Sequence, residues 1–284
     1  RVDPVDTTTI ISRIPGLTGG KDADSQVILT VRGVGTNAFS PGADNSVGTY
    51  YNEVPVSRNI GNQGLMDVQR IEVVKGPQGT LFGRNTSAGS IAITNNPAAL
   101  GDQTLSLRGF IGNDGQLMYQ VVGNTDLTDE FAVRIAARHE ERDGTYTNSV
   151  TGDELNGRDN TQVRLSAYWE PTESTNVNFF WEERSFENRW QMVDLAGVAE
   201  SFGFDNGLFN DEISIDPQPK QTIDSSLAVL KVTTDFDDLT LTATTGFYDA
   251  DIVALPTDAD TLPLPIVDFR EPWDISQFSQ EFRI

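Results

Sequence analysis

The 284-residue chain has no cysteine at all. Thiolate metal sites, cysteine nucleophiles and a disulfide framework are therefore excluded, although the compartment stays open because envelope proteins often lack cysteine. Histidine is nearly absent as well, with His139 alone. A lone imidazole without a second nitrogen ligand does not make a nitrogen-rich metal centre. Positive charge is scarce: 20 Lys and Arg against 42 Asp and Glu give a formal net charge of −22, which nucleic-acid phosphates would repel. No apolar run approaches the ~18 residues of a transmembrane helix. A charged n-region followed by an apolar h-region is also missing. With Arg1 as its first residue, the expectation is a processed chain or a fragment.

Glycine is plentiful, and it is concentrated in "DVQRIEVVKGPQGTLFGRNTSAGSIAITNNP", Asp67 to Pro97. A phosphate loop needs Gly-x-x-x-x-Gly-Lys-Ser/Thr and then a helix. The residue five on from Gly76 is Leu81, and the one five on from Gly79 is Arg84 with no Lys-Ser after it; a β-type run, "SIAIT", follows. "VRGVG", Val31 to Gly35, lacks the third glycine of a dinucleotide fingerprint, since Ala38 stands there. What remains is a strand, a Gly-Pro turn, a loop and a returning strand, with strands expected over Arg70–Val74 and Ser90–Thr94.

From about Leu105 apolar and polar residues alternate. In "FAVRIAARHEER", Phe131, Val133, Ile135 and Ala137 share one face, and Arg134 and Arg138 lie on the other. "QVRLSAYWEP" repeats the pattern. Period two means strands. Eight are expected: Thr104–Ile111, Leu117–Asn124, these two, Asn176–Glu187, Ser225–Asp235, Leu239–Ala250 and Ser276–Ile284. Alternation alone fits either a soluble antiparallel sheet or a transmembrane barrel. Connection lengths favour the barrel. Short turns ("LTDE", "PTEST", "DFDDL") take turns with long polar segments, as periplasmic turns and extracellular loops do. Strands of ~9 to 14 residues suffice to cross a bilayer when tilted. Trp169, Tyr168 and Trp181 are expected near strand ends, in an interfacial girdle. Glu140–Glu141 and Glu182–Glu183 point to opposite faces and so form no acid/base dyad; they are expected to be solvated lumen or rim charges. No catalytic constellation and no cofactor-binding motif is found.

"IPGLTGG" from Ile14, "LTVRGVGTNAFSPGADNSVGTYYNEVPVSR" from Leu29 and the Asp67–Pro97 stretch, in that order, resemble the plug domain of TonB-dependent outer-membrane receptors. "EFAVRIAARHEERDGTYTN", "TLTATTGFYDADI" and "QFSQEFRI" resemble their barrel strands. The resemblance implies a small α/β plug domain over residues 1–98, followed by the N-terminal part of a transmembrane antiparallel β-barrel over 103–284. About 8 of an expected 22 strands would be present. A plug of ~95 residues has a radius of gyration near 12 Å, and eight strands enclose only their own side chains, so the barrel is expected to be incomplete, with unpaired edge strands near Leu105 and Phe282. Gly33, Glu72, Gly76, Pro77, Gly83 and Gly89 match the plug's structural motif. Two departures, "TNNP" at Asn95–Asn96 where Thr-Lys-x-Pro is usual and Ala88 beside Gly89, carry no functional reading.

Function follows from the resemblance as an expectation: not an enzyme, but a receptor in the Gram-negative outer membrane that imports a scarce nutrient, most of all a ferric siderophore. A glycan or another large nutrient is the alternative. A passive porin and a soluble β-rich surface-binding protein are rivals of a different class. Implied partners are outer-membrane lipid, the extracellular ligand and the TonB energy-coupling complex, the last through a TonB box outside this chain. The stretches Gly35–Ser46 and Asn52–Gly64 resemble apical plug loops, which makes Asn37, Phe39, Tyr50, Tyr51 and Arg58 candidate ligand contacts. Trp190, Phe202, Phe204 and Phe209 are further candidates on the long segment from Asn188 to Ile223. Arg32 and Lys75 stand where plug residues pair with barrel carboxylates.

Overall fold

The computed structural model describes residues 11, 14–21, 27–36, 45–56, 65–79, 83, 85–189, 211–216, 220–254, 257–258, 262, 264, 266, 268–269 and 272–284. In the N-terminal part, strands β1 (Leu17–Lys21), β2 (Val27–Val31) and β3 (Val34–Gly35) form one small antiparallel sheet. Strands β4 (Val47–Tyr51), β5 (Val54–Val56), β6 (Val68–Lys75) and β7 (Gly89–Asn95) form a second, in the order β5-β4-β7-β6. The β4–β7 pair is parallel and the others antiparallel. The described plug residues are thus mostly strands and turns, with helical conformation at Ile11 and Gly79.

The glycine-rich stretch answers to backbone geometry. Gly76 turns the chain out of β6 at φ 102°, a region that L side chains rarely adopt. Gly89 has φ 155°, and a Cβ there would sit 2.4 Å from the Val74 carbonyl oxygen. That position requires glycine to let β6 and β7 close.

The C-terminal part is one antiparallel sheet of eight long strands. These are β8 (Thr104–Ile111), β9 (Leu117–Thr128), β10 (Phe131–Arg142), β13 (Arg158–Thr172), β14 (Thr175–Asn188), β16 (Gln221–Phe236), β17 (Leu239–Ala254) and β20 (Trp273–Arg283). They pair strictly with their sequence neighbours, β20-β17-β16-β14-β13-β10-β9-β8. All eight expected strands are present, several longer at one end. The short strands β11 (Tyr146–Asn148), β12 (Glu154–Leu155) and β15 (Glu212–Ile213) form a separate small sheet, and β18 (Thr257–Asp258) pairs with β19 (Asp268–Phe269). Among the described residues the sheet does not close: β8 and β20 are its edges, with Leu105 72% and Phe282 67% exposed.

Three connections on one end are two residues long, Asp129–Glu130, Glu173–Ser174 and Asp237–Asp238. On the other end they span 112–116, 143–157, 189–220 and 255–272. The sheet thus has a short-turn end and a long-connection end.

The faces of the sheet differ as a lipid-facing wall demands. On the outer face Leu107, Tyr119, Ile135, Leu165, Trp181, Leu230, Phe247 and Phe278 are exposed. Phe247 and Phe278 face each other across β17 and β20 with ring centroids 5.0 Å apart. Ile135 is exposed while Ala132, Ala136 and Arg138 on the other parity are buried, as the alternation requires. Two aromatic positions differ from expectation. Trp181 lies mid-strand, opposite Leu165 and Ala228, and Tyr168 has the parity of buried Arg164 and Gln162 and so turns inward.

The inner face packs on the plug. Val47, Tyr51, Val54, Val56, Ile91 and Ile93 from β4, β5 and β7 share one apolar cluster with Phe180, Leu227, Val229, Tyr248 and Ala250 from β14, β16 and β17. This shared core holds the plug sheet in the concavity of the wall.

Candidate functional site: the seam between plug and wall

Polar contacts surround that core. Asp67 sits in the coil before β6 with φ 48°, a left-handed conformation that Asp tolerates better than most residues. The turn aims its carboxylate at the wall. Arg134 donates from Nε to Oδ2 at 2.7 Å and from Nη2 to Oδ1 at 2.8 Å, a two-bond fork. Both side chains are largely buried, 13% and 7% exposed. Asn96 Nδ2 donates to Oδ1 of the same carboxylate at 2.8 Å, and the Asn96 amide to the Asp67 carbonyl at 3.0 Å. The departure "TNNP" therefore has a local role: Asn96 holds Asp67 in place.

Beyond Asp67 the charges continue into the wall. Arg164, whose Nη1 is 4.0 Å from Asp67 Oδ2, donates to Glu182 Oε2 from Nε at 2.8 Å and from Nη2 at 2.6 Å. Its guanidinium lies 5.1 Å from the Phe180 ring centroid, within cation–π range. Arg184 donates to the other Glu182 oxygen at 3.0 Å. Higher on the wall, Glu140 accepts from Arg138 at 2.7 Å, from Arg158 at 2.5 Å and from Gln116 at 3.2 Å. Arg138 also donates to the Leu65 carbonyl at 3.2 Å. Glu140 and Glu182, 2% and 5% exposed, are thus not the solvated charges expected. The strand parity was right, but each inner carboxylate is covered by the plug and paired with arginines, as buried charges must be. Their neighbours Glu141 and Glu183 are exposed on the outer face.

A second latch lies toward the short-turn end. The β4–β5 hairpin turns on Asn52 and Glu53, with φ 46° and 72°. Two central residues with positive φ match the type I′ geometry of tight hairpins, where Asn-Gly is the preferred pair. Glu53 occupies the position glycine would favour, and its carboxylate meets Lys231 Nζ at 2.5 Å and Arg283 Nη1 at 2.9 Å. These groups are about one-third to one-half exposed. Gln277 adds a hydrogen bond to the Pro55 carbonyl at 2.7 Å. The passage from plug to wall is tied down too. Asn124, 3% exposed on the inner face of β9, accepts from the Ala99 amide at 3.1 Å and donates to the Ala99 carbonyl at 2.8 Å.

The sequence-derived candidates fare unevenly. Tyr50 and Tyr51 are not loop residues: they end β4, a strand buried along its whole length, and are 6% and 3% exposed. Burial pushes both phenols above their ordinary pKa; for Tyr51 the cation of Arg184 pulls the other way. The start of the stretch Asn52–Gly64, expected at the apical side, instead stands beside Lys231 and Arg283 toward the short turns. Lys75 donates to the Pro15 carbonyl at 2.5 Å, inside the plug. Arg32 is exposed, at φ 52°. Among the described residues, the ion pairs between plug and wall run opposite to the expected polarity: plug carboxylates Asp67 and Glu53 meet wall cations. Of the motif residues, Gly33, Gly76, Gly83 and Gly89 have positive φ, Pro77 follows the Gly76 turn, and exposed Glu72 pairs with Arg70 at 3.1 Å. Asn37, Phe39, Arg58, Trp190, Phe202, Phe204 and Phe209 lie outside the described residues. On the outer face, His139 Nδ1 is 2.9 Å from Thr161 Oγ1, with Glu141 and Asp159 carboxylates at 3.8 and 3.7 Å from the ring nitrogens.

A plug seated in an open sheet with lipid-type outer residues and alternating connections has a match among known proteins. Residues 3–90 match the family model of the TonB-dependent receptor plug domain. Residues 3–90 are thus a TonB-dependent receptor plug domain. Similar solved structures include the ferric yersiniabactin uptake receptor FyuA from Yersinia pestis, with a TM-score of 0.85 and 18% identity over 98% of this chain and 42% of that one. The ferric-catecholate import receptor Fiu from E. coli, in its open form, gives 0.71 and 17% over 98% and 43%. P. aeruginosa FpvA bound to a heterologous pyoverdine gives 0.78 and 12% over 98% and 37%. This chain therefore spans roughly two-fifths of the length of those receptors. At these identities the likeness establishes the fold. The matched family and the neighbours are receptors, not enzymes.

Proposed function

We propose that the chain belongs to an outer-membrane receptor of the Gram-negative envelope that imports a large, scarce ligand by displacing its plug. A pore wide enough for such a ligand would leak, so it must be stoppered and opened by work. The observation that carries this reading is the seam itself. The plug lies on the inner face of the wall, shares an apolar core with it and is latched by Asp67 and Glu53, which supports its standing in the bore of the whole receptor. A passive porin has no use for such an element.

The long-connection end is taken as extracellular and the short-turn end as periplasmic, following the usual order of outer-membrane barrels. The domains are read as plug over 1–98 and barrel over 103–284. The ligand reading is a ferric siderophore, supported by neighbours whose names specify ferric yersiniabactin uptake, ferric-catecholate import and bound pyoverdine. TonB is the energy-coupling partner, since the plug family is defined by that dependence. The test is uptake of a panel of radiolabelled ferric siderophores by cells expressing the receptor that contains this chain. At least one should accumulate, and collapse of the proton-motive force should abolish accumulation but not surface binding. Accumulation that survives the collapse would contradict the reading, as would binding of a glycan and of no siderophore.

A further inference from the structure

The connection between β14 and β16 is tethered at both ends to one element, the hairpin between β10 and β13. On the β14 side, the Asn156 amide donates to the Arg189 carbonyl at 2.6 Å, and the Arg189 amide to the Gly157 carbonyl at 3.0 Å. On the β16 side, β15 lies parallel to β11, with Thr147 opposite Glu212 and Asn148 opposite Ile213. The Thr147 amide donates to the Asp211 carbonyl at 2.9 Å and the Ser149 amide to the Ile213 carbonyl at 3.0 Å. Side chains lock this join. Asn148, 0% exposed, donates from Nδ2 to the Ile215 carbonyl at 3.0 Å while its Oδ1 accepts the Val150 amide at 2.9 Å. Ser149 Oγ and Ser214 Oγ are 2.6 Å apart. Ile215 and Leu155 are 0% and 1% exposed, a degree of burial uncommon in a freely solvated loop.

We infer that residues 143–157 act as a clamp that fixes residue 189 and residues 211–215 as one rigid unit at the long-connection rim. A connection of this length held only at its strand ends would sample many conformations. A parallel strand pair needs a long crossover between its members, and here the β13–β14 hairpin supplies it, so the pair joins two separate loops rather than extending one. Holding residue 189 and residues 211–215 in this join removes the chain entropy of those residues in advance. The unit also touches the first rim turn, since the Asp143 amide donates to the Asp114 carbonyl at 2.9 Å. Gly144 marks the tightest point: a Cβ there would stand 2.5 Å from the Leu155 carbonyl oxygen and 2.6 Å from the Glu154 Cβ. The clamp concerns the rim and stands whatever the ligand is.

The test uses the detergent-solubilised receptor that contains this chain and needs no ligand. Asn148→Ala removes both side-chain bonds and should raise amide exchange at residues 211–215, as well as at 147–150, by roughly tenfold. Exchange in the middle of β13 and β14 should not change. Because this chain has no cysteine, Ser149→Cys with Ser214→Cys gives an independent readout if the alanine variant misassembles. Mild oxidation should cross-link the pair within the chain and leave exchange at 211–215 as slow as in the unmodified receptor. Faster exchange confined to 147–150 in the alanine variant would overturn the clamp, as would a correctly assembled double-cysteine receptor that fails to cross-link.

Discussion

Arg134 on the wall and Asp67 on the plug meet through two parallel hydrogen bonds of 2.7 and 2.8 Å, although 67 positions separate them in the chain. Removing the Asp67 charge leaves the Arg134 cation buried without its carboxylate, and breaking a buried pair in this way typically costs about 3–5 kcal/mol. Asp67→Asn should therefore loosen the plug, measured as faster hydrogen exchange in β6 and β7 with the outer wall strands unaffected. A double-mutant cycle with Arg134→Gln should give a coupling of roughly 1–3 kcal/mol. Additive effects would show that the two residues act apart.

Glu53 offers a graded comparison. Its partners Lys231 and Arg283 are one-third to one-half exposed, and pairs of that kind contribute about 1 kcal/mol or less. Glu53→Gln keeps the left-handed turn and loses only the charge, so it should loosen the plug distinctly less than Asp67→Asn in the same exchange measurement. Glu53→Gly should relieve the backbone strain at φ 72° while losing the same contacts. If Glu53→Gln proves the more disruptive of the two charge removals, the ranking of the latches is wrong.

Ile135 is 53% exposed near the middle of β10 on the outer face. Arginine there would meet hydrocarbon at a cost of about 2–4 kcal/mol near the midplane. Ile135→Arg should reduce the heat-modifiable, assembled form recovered from outer membranes. Arginine at the exposed, rim-side Val150 should not. Equal assembly of both variants would place Ile135 away from lipid.

Tyr51 gives a pH dependence. Burial raises its phenol above the ordinary 10.0, so the folded plug favours the neutral form. The corresponding stability is fully present below pH 10 and is lost as pH rises from there toward the raised value. The plug should loosen in alkaline solution, and Tyr51→Phe should lessen that loss while changing little at neutral pH. An unchanged alkaline profile in the variant would remove Tyr51 as a source.

The wall was legible because period-two alternation is a local signal: each of the eight strands carries it within its own residues. The seam was not, since strand parity shows which face a carboxylate takes but not what lies opposite. Glu140 and Glu182 were read as solvated for that reason. Tyr50 and Tyr51 were misread because β4 is covered on both faces and so shows no alternation. Asp67 and Glu53 sit in turns where acidic residues are common, and their partners come from strands 67 to 230 positions away. Asn96 looked like a neutral departure until its contact with Asp67 gave it a role. The family resemblance supplied the architecture, whereas the polarity of the latches came only from the folded arrangement.

The central claim is that the plug stoppers the bore, and planar-bilayer conductance of the receptor that contains this chain tests it most directly. The intact receptor should be electrically silent, and deletion of residues 11–96 with assembly retained should open a wide, poorly selective conductance. An intact receptor that conducts as a porin does would contradict the account, as would a deletion variant as silent as the parent.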